Sequence, residues 1–188
     1  STDSTLADAL FNLGLCHLSL GNYSTGWLCY EYRLFTNQVP LHTHFCSGPV
    51  LDSLALAPIL PAAPLIVWCE QGIGDTIQFC RYLLLLDELN IHYHFYCPPV
   101  LVDLIKYWLK PSCSIYNLEG KYTDCTSPTH VPLLSLPRLF STVAETIPCS
   151  LPYFIPPSDP PQHLKIHCPP GGISIGLTWA SNPNNTNM

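Results

Sequence analysis

The chain has 188 residues, room for one domain with an appendage or for two small domains, and 47% of its residues are apolar against 11% charged. Globular chains usually carry about 25% charged residues, so this one is folded and greasy, with some surface expected to lie against other protein. Its net charge of −6, from 13 acids and 7 bases with no Lys/Arg run, argues against a nucleic-acid partner.

Residues 5–36 read as two helices. Leu6, Leu10, Leu13, Cys16 and His17 recur at helical spacing, Gly21-Asn22 breaks the pattern, and Trp27, Tyr30 and Leu34 resume it on one face. Asn12-Leu13-Gly14, Leu20-Gly21-Asn22-Tyr23, Gly26 and Tyr30 resemble a tetratricopeptide unit, a helical hairpin with small residues where its helices touch. One copy cannot bury its own faces. It must dock on the following domain or stack on repeats outside this chain, and it is a candidate site for a protein partner. Trp27, Tyr30 and Tyr32 are expected to pack at that junction rather than to stack on sugars.

Prolines at 40, 49, 58, 61 and 64 mark residues 37–64 as a linker that wraps a surface. From Leu65 the pattern becomes strand–helix alternation. Strands are expected at 65–69, 91–97, 114–118 and 131–135, with helices at 75–89, 100–109 and 137–147. Pro98-Pro99 opens the second of these helices. A proline-rich stretch, 148–170, precedes a last strand at 173–179 and a polar tail. This order predicts an α/β fold, a Rossmann-like parallel sheet with flanking helices, preceded by the one tetratricopeptide-like hairpin.

None of the ten cysteines forms Cys-x-x-Cys. They read as small buried apolar residues in a reducing compartment, hence a cytoplasmic chain. No uninterrupted apolar run of about 18 residues marks a transmembrane segment, and the polar start, residues 1–8, lacks a signal-peptide pattern. His92 and His94 share one strand face, near enough to share a metal, but no third ligand is evident. Packing is the expected role there, and for His42 and His44 in the linker. No metal or cofactor is expected.

The segment Glu70-Gln71-Gly72-Ile73-Gly74-Asp75-Thr76-Ile77-Gln78 links the apolar run 65–69 to the next helix. Glycine at 72 and 74 would permit positive φ and close approach of a ligand. The helix start would favour negative charge such as a diphosphate. Asp75 would serve as a general base, a step worth roughly 10²–10⁴ in rate. The competing reading makes Asp75 and Gln78 a capping box worth about 1 kcal/mol. Glu70 either works with Asp75 and orients substrate hydroxyls or anchors the loop by accepting backbone N–H groups. The dinucleotide pattern G-x-G-x-x-G fails at its third glycine, no P-loop Lys-Ser/Thr is present, and no Gly-x-Ser-x-Gly elbow exists.

The run from Glu70 to Gln78, continued by Phe79-Cys80-Arg81-Tyr82, resembles the signature of bacterial tetratricopeptide-repeat glycosyltransferases related to the heptosyltransferases. Three further segments are similar to that family in the same order. These are Trp27 with Tyr30-Glu31-Tyr32-Arg33, Pro132-Leu133-Leu134-Ser135-Leu136-Pro137 with Phe140, and Ile175-Gly176-Leu177-Thr178-Trp179-Ala180 with Asn182-Pro183. The resemblance implies a GT-B enzyme with two Rossmann-like domains across a cleft. It assigns the base to Asp75, shaping of the acceptor loop to Gln71, Gly72 and Gly74, and weaker substrate roles to Gln78 and Arg81. The substrates implied are a nucleotide-sugar donor and an acceptor hydroxyl. Ser181 replaces the family's usual glycine, and the donor-binding domain would lie beyond Met188. The chain is thus expected to be an N-terminal, acceptor-side half: hairpin 1–36, linker 37–64, acceptor-side domain 65–170, and the start of a second domain at 171–188. The rival readings are a non-catalytic interaction module and a nucleotide- or phosphate-binding domain.

Overall fold

The computed structural model describes residues 4–36, 48–54, 64–109, 113–118 and 129–149. All of them belong to the first of two units into which the chain divides, Ser1–Ile155. The expected strand at 173–179, the start of a second domain, most of the proline-rich stretches, and His42 and His44 lie outside the described residues.

The N-terminal region forms a helical hairpin, α1 (Ser4–Ser19) and α2 (Tyr23–Tyr30), continued by a 3₁₀ turn, Glu31–Phe35. Gly21 closes α1 at φ +78°. Its N–H reaches Leu18 O while the Asn22 N–H reaches His17 O, which is a Schellman ending. The helices approach closely at two glycines. A Cβ on Gly14 would stand 2.7 Å from Tyr30 N, and one on Gly26 would stand 2.7 Å from Leu18 Cδ2.

The α/β part begins with β1 (Leu65–Trp68), buried on both faces as a central parallel strand must be. The chain then passes through α3 (Ile73–Phe79), a 3₁₀ turn at Cys80–Tyr82 and α4 (Leu83–Glu88) to β2 (Tyr93–Cys97). The single helix expected over 75–89 is therefore broken. Asn90, at φ 55°, ends α4 with the same pair of bonds that Gly21 uses. Helix α5 (Pro99–Trp108), with proline in its first turn, leads to β3 (Ser114–Asn117). The strand β4 (His130–Pro132) follows. The sheet is four-stranded and wholly parallel, in the order β3-β2-β1-β4. Val50 adds an isolated parallel bridge outside β4.

The helix expected over 137–147 is absent as such. A 3₁₀ turn, Leu133–Ser135, runs into α6 (Leu136–Leu139), which stops at Ser141. Ser141 has φ 50° and completes a third Schellman ending, with Thr142 N–H on Pro137 O. The carbonyl of Thr142 then accepts the Trp27 indole N–H at 3.0 Å. The tertiary contact takes over an acceptor that a longer helix would have used internally.

One core joins the hairpin to the sheet. Ile66, Val67, Phe95, Leu83, Leu86, Ile105 and Val131 form its centre, and Phe11 and Tyr30 extend it into the hairpin. Trp27 meets Tyr30 and Phe79 edge-on, at 5.9 and 6.3 Å. The hairpin thus packs on the α/β part through its aromatic face, as expected. Leu6, Leu13 and Leu20, seven residues apart, remain exposed on its other side. Among the described residues no helix is long and apolar enough to cross a membrane.

Candidate functional site

The order of the strands marks a candidate site. Chain progression runs outward from β1 through β2 to β3, then returns to β4 on the opposite side of β1. In open parallel sheets such a reversal leaves a crevice beyond the carboxyl ends of the two strands that flank it, and ligands bind there. Here those strands are β1 and β4. The segment Cys69 to Asp75 leaves β1 at that end, and Leu133–Ser135 leaves β4.

The glycine loop is exposed at Gly72, Ile73 and Gly74, with Asp75 half-buried behind them. Two expectations about it change. Helix α3 starts at Ile73 with Gly72 as its N-cap, so Asp75 is the third helical residue and not a cap; the capping box with Gln78 does not form. Gly72 has φ −67°, and neither loop glycine takes positive φ. The use of glycine here is space. A Cβ on Gly72 would stand 3.5 Å from Asp75 Oδ2, and nothing lies within 4 Å of one on Gly74. The helix start is closed by Thr76, whose N–H and Oγ1 both donate to Gly72 O at 3.0 Å.

Glu70 does not face the loop's open side. It is 2% exposed; its Oε1 accepts from Arg33 Nη2 at 2.7 Å and from the Leu134 N–H at 3.1 Å. Of its two sequence readings, that is the anchoring one. Its Oε2, also buried, has no hydrogen-bond partner among the described residues. Burial pushes the Glu70 carboxyl above the usual range, and the bonded guanidinium pulls it back only in part. Burial pulls Arg33 down, but Glu70 and Glu31 outweigh it and hold the guanidinium above its usual value. The arginine is therefore charged at neutral pH and keeps its carboxylate partners beside it.

Arg33 is the residue that sequence reasoning missed as part of this region. It is fully buried and reaches four acceptors: Glu70, Ser135 Oγ at 2.8 Å, Glu31 Oε1 at 2.9 Å and the Tyr30 carbonyl at 3.2 Å. Its guanidinium lies 4.7 Å above the Tyr30 ring. Ser135 donates in turn to Glu31 Oε2 at 2.9 Å, and Arg138 lies 3.4 Å from the same oxygen. The available signal was the run Tyr30-Glu31-Tyr32-Arg33, an arginine in an apolar-rich turn with a carboxylate two residues before it.

The other predicted residues separate into two groups. Gln71 joins the cluster, donating to the Tyr30 hydroxyl at 3.1 Å. Burial is the main cause of the raised pKa of that phenol, and the charges of Glu70 and Asp75 add to it. Gln78 is exposed one turn beyond Asp75. Arg81 is tied to backbone, donating to Gln78 O at 2.8 Å and Pro148 O at 3.0 Å. His92 and His94 pack edge-on at 5.7 Å, and His94 meets Tyr116 at 5.1 Å. Among the described residues no group of three or more His, Cys, Asp or Glu side chains could hold a metal ion.

The arrangement offers one half-buried carboxylate beside an uncovered glycine backbone, next to a buried charge cluster that joins the exits of β1 and β4. Such a carboxylate can take a proton from a bound hydroxyl. Compared with protein-family models, with curated proteins and with solved structures, the chain matches none of them.

Proposed function

We propose that this chain is the acceptor-side half of a cytoplasmic inverting glycosyltransferase of the GT-B type, with a Rossmann-like sheet and a tetratricopeptide-like hairpin. The observation that carries the reading is the position of Asp75. It lies at the carboxyl end of β1, behind an exposed glycine loop and beside the reversal of strand order. In the proposed step Asp75 accepts the proton of an acceptor hydroxyl. The freed oxygen attacks the anomeric carbon of a nucleotide-sugar, and the nucleoside diphosphate leaves from the opposite face. Gly72 and Gly74 let the acceptor approach the backbone, and Gln71 shapes the loop from beneath. Helix α3 has only seven residues, so a role for its dipole in steadying donor phosphates draws little support. Gly14 and Gly26 at the helix contact support the tetratricopeptide likeness, because that unit needs small residues there.

The test is sugar transfer from nucleotide-sugars by the longest natural polypeptide that contains this chain, with and without Asp75→Ala. A general base contributes roughly 10²–10⁴ in rate, so a loss of that order is expected, and unchanged turnover rules Asp75 out.

One observation favours a second reading, a protein-interaction module. Leu6, Leu13 and Leu20 line the outer side of the hairpin in the open, with Leu28 exposed on α2. Replacing these leucines by serine should abolish partner binding while leaving the fold intact, if that reading holds.

A further inference from the structure

The two residues that lead from β1 into the glycine loop are both held by the hairpin. Glu70 is bonded to Arg33 at 2.7 Å, and Gln71 is bonded to the Tyr30 hydroxyl at 3.1 Å. Tyr30 and Arg33 are in turn locked together, guanidinium over ring at 4.7 Å. Beyond these, the loop is held by the two Thr76 bonds to Gly72 O. Gly72, Ile73 and Gly74 are exposed, no side chain caps α3, and the space around Gly74 is open. The same Arg33 Nη2 that holds Glu70 also holds Ser135, on the segment leaving β4. A charge from the hairpin therefore links both strand exits at the reversal of strand order, the place where open parallel sheets take their ligands.

We propose that Arg33 is the positioning residue of the loop from Gln71 to Asp75. Through Glu70 and Ser135 it sets the spacing of the two strand exits, and with Tyr30 it sets where the loop departs. The hairpin is then a wall of the site and not a separable recruiting module. This inference rests on reading the loop as the site, but its main readout does not depend on catalysis.

A purely stabilising ion pair makes a different prediction. Buried pairs replaced by apolar residues of similar volume often leave stability unchanged or raised, because no charge is left unpaired. Stability and loop order would then return together. A fork that holds two strand exits cannot be replaced that way, because methionine supplies no donor to Ser135 and no acceptor to Leu134.

The experiment compares the full chain with Arg33→Met, Arg33→Met/Glu70→Met and Arg33→Lys. Hydrogen exchange at the Thr76 amide, bonded to Gly72 O, reports loop order, and thermal unfolding reports global stability. The double variant is expected to recover most of the stability lost in Arg33→Met, while Thr76 still exchanges at least about tenfold faster than in the parent. Arg33→Lys keeps the charge without the fork and is expected to speed Thr76 exchange severalfold with a smaller loss of stability. Should the double variant not fold, Arg33→Lys decides alone. Parent-like Thr76 exchange in either folded variant overturns the proposal. If Asp75→Ala leaves sugar transfer untouched while Thr76 still responds to Arg33, the positioning role stands and the base assignment falls.

Discussion

His130 in β4 allows a quantitative test of how the sheet edge is held. It is 7% exposed, and its Nδ1 accepts the Trp68 indole N–H at 3.1 Å. An indole nitrogen only donates, so the bond requires Nδ1 to be unprotonated. A second ring proton would set two donors face to face in a buried site. Burial accordingly holds the ring below its ordinary value of 6.5, and a Gly48 backbone acceptor offsets this only in part. The sign follows from linkage. Above pH 6.5 the ring is neutral in both states and contributes nothing. Between 6.5 and the lower folded value the unfolded chain holds the extra proton, so stability falls as pH falls. The slope approaches about 1.4 kcal/mol per pH unit. For a chain of this size 1 kcal/mol is about 2–4 °C in Tm, so one pH unit inside the window is worth up to about 3–6 °C. His94, also lowered by burial and by His92, acts in the same direction, and Glu70, a raised acid, acts against both. His130→Asn separates them, since its Oδ1 can still accept the indole proton and it does not titrate. Thermal unfolding from about pH 7.5 to about pH 5.5 should show the parent losing more in Tm than His130→Asn. Parallel losses in the two proteins, or an NMR titration placing His130 at or above its ordinary value, would refute the reasoning.

Three further outcomes are expected. Gly14→Ala adds a Cβ 2.7 Å from a backbone nitrogen; the strain of overpacking, roughly 1–3 kcal/mol, should exceed the roughly 1 kcal/mol gained in helix propensity, so a rise in Tm would count against the close helix contact. Trp27→Phe keeps an aromatic ring against Phe79 but strips the donor from the Thr142 carbonyl. Urea unfolding should register a loss of about 1 kcal/mol. Phe95→Ala empties a fully buried position at the centre of β2, and a loss of about 3–5 kcal/mol should appear as a lower urea midpoint with an unchanged slope.

The strands were legible where the pattern was local. The apolar run Leu65-Ile66-Val67-Trp68 and the alternation around Tyr93 to Cys97 fall within a residue or two of β1 and β2. Pro98-Pro99 correctly opens α5. Gly21 and Asn90 are the residue types that end helices at positive φ, and both do so. Ser141 does the same without advertising it, because serine seldom takes that conformation. That concealed stop is why the helix expected over 137–147 ends at Leu139. The helix expected over 75–89 failed for a different reason, a 3₁₀ turn at Cys80–Tyr82, where the Cys80 thiol donates to Ile77 O. The glycine loop was found by sequence, but its local geometry differs: neither Gly72 nor Gly74 takes positive φ, and Asp75 sits inside the helix that the competing reading had it cap.

What the sequence by itself determined is the alternation of apolar strands and helices, the hairpin before it, and the one glycine–aspartate junction between β1 and α3. Those features depend on periods of two and 3.6 residues and on the backbone habits of glycine and proline, all of which act over short range. Only the tertiary structure decided the strand order, and with it the reversal of that order between β1 and β4. It also decided the fate of Glu70, which spacing left as either a partner for Asp75 or an anchor. Arg33 lies 37 residues earlier in the chain and Ser135 lies 102 residues from Arg33. A buried guanidinium must find its acceptors wherever folding brings them, and no local pattern records that meeting.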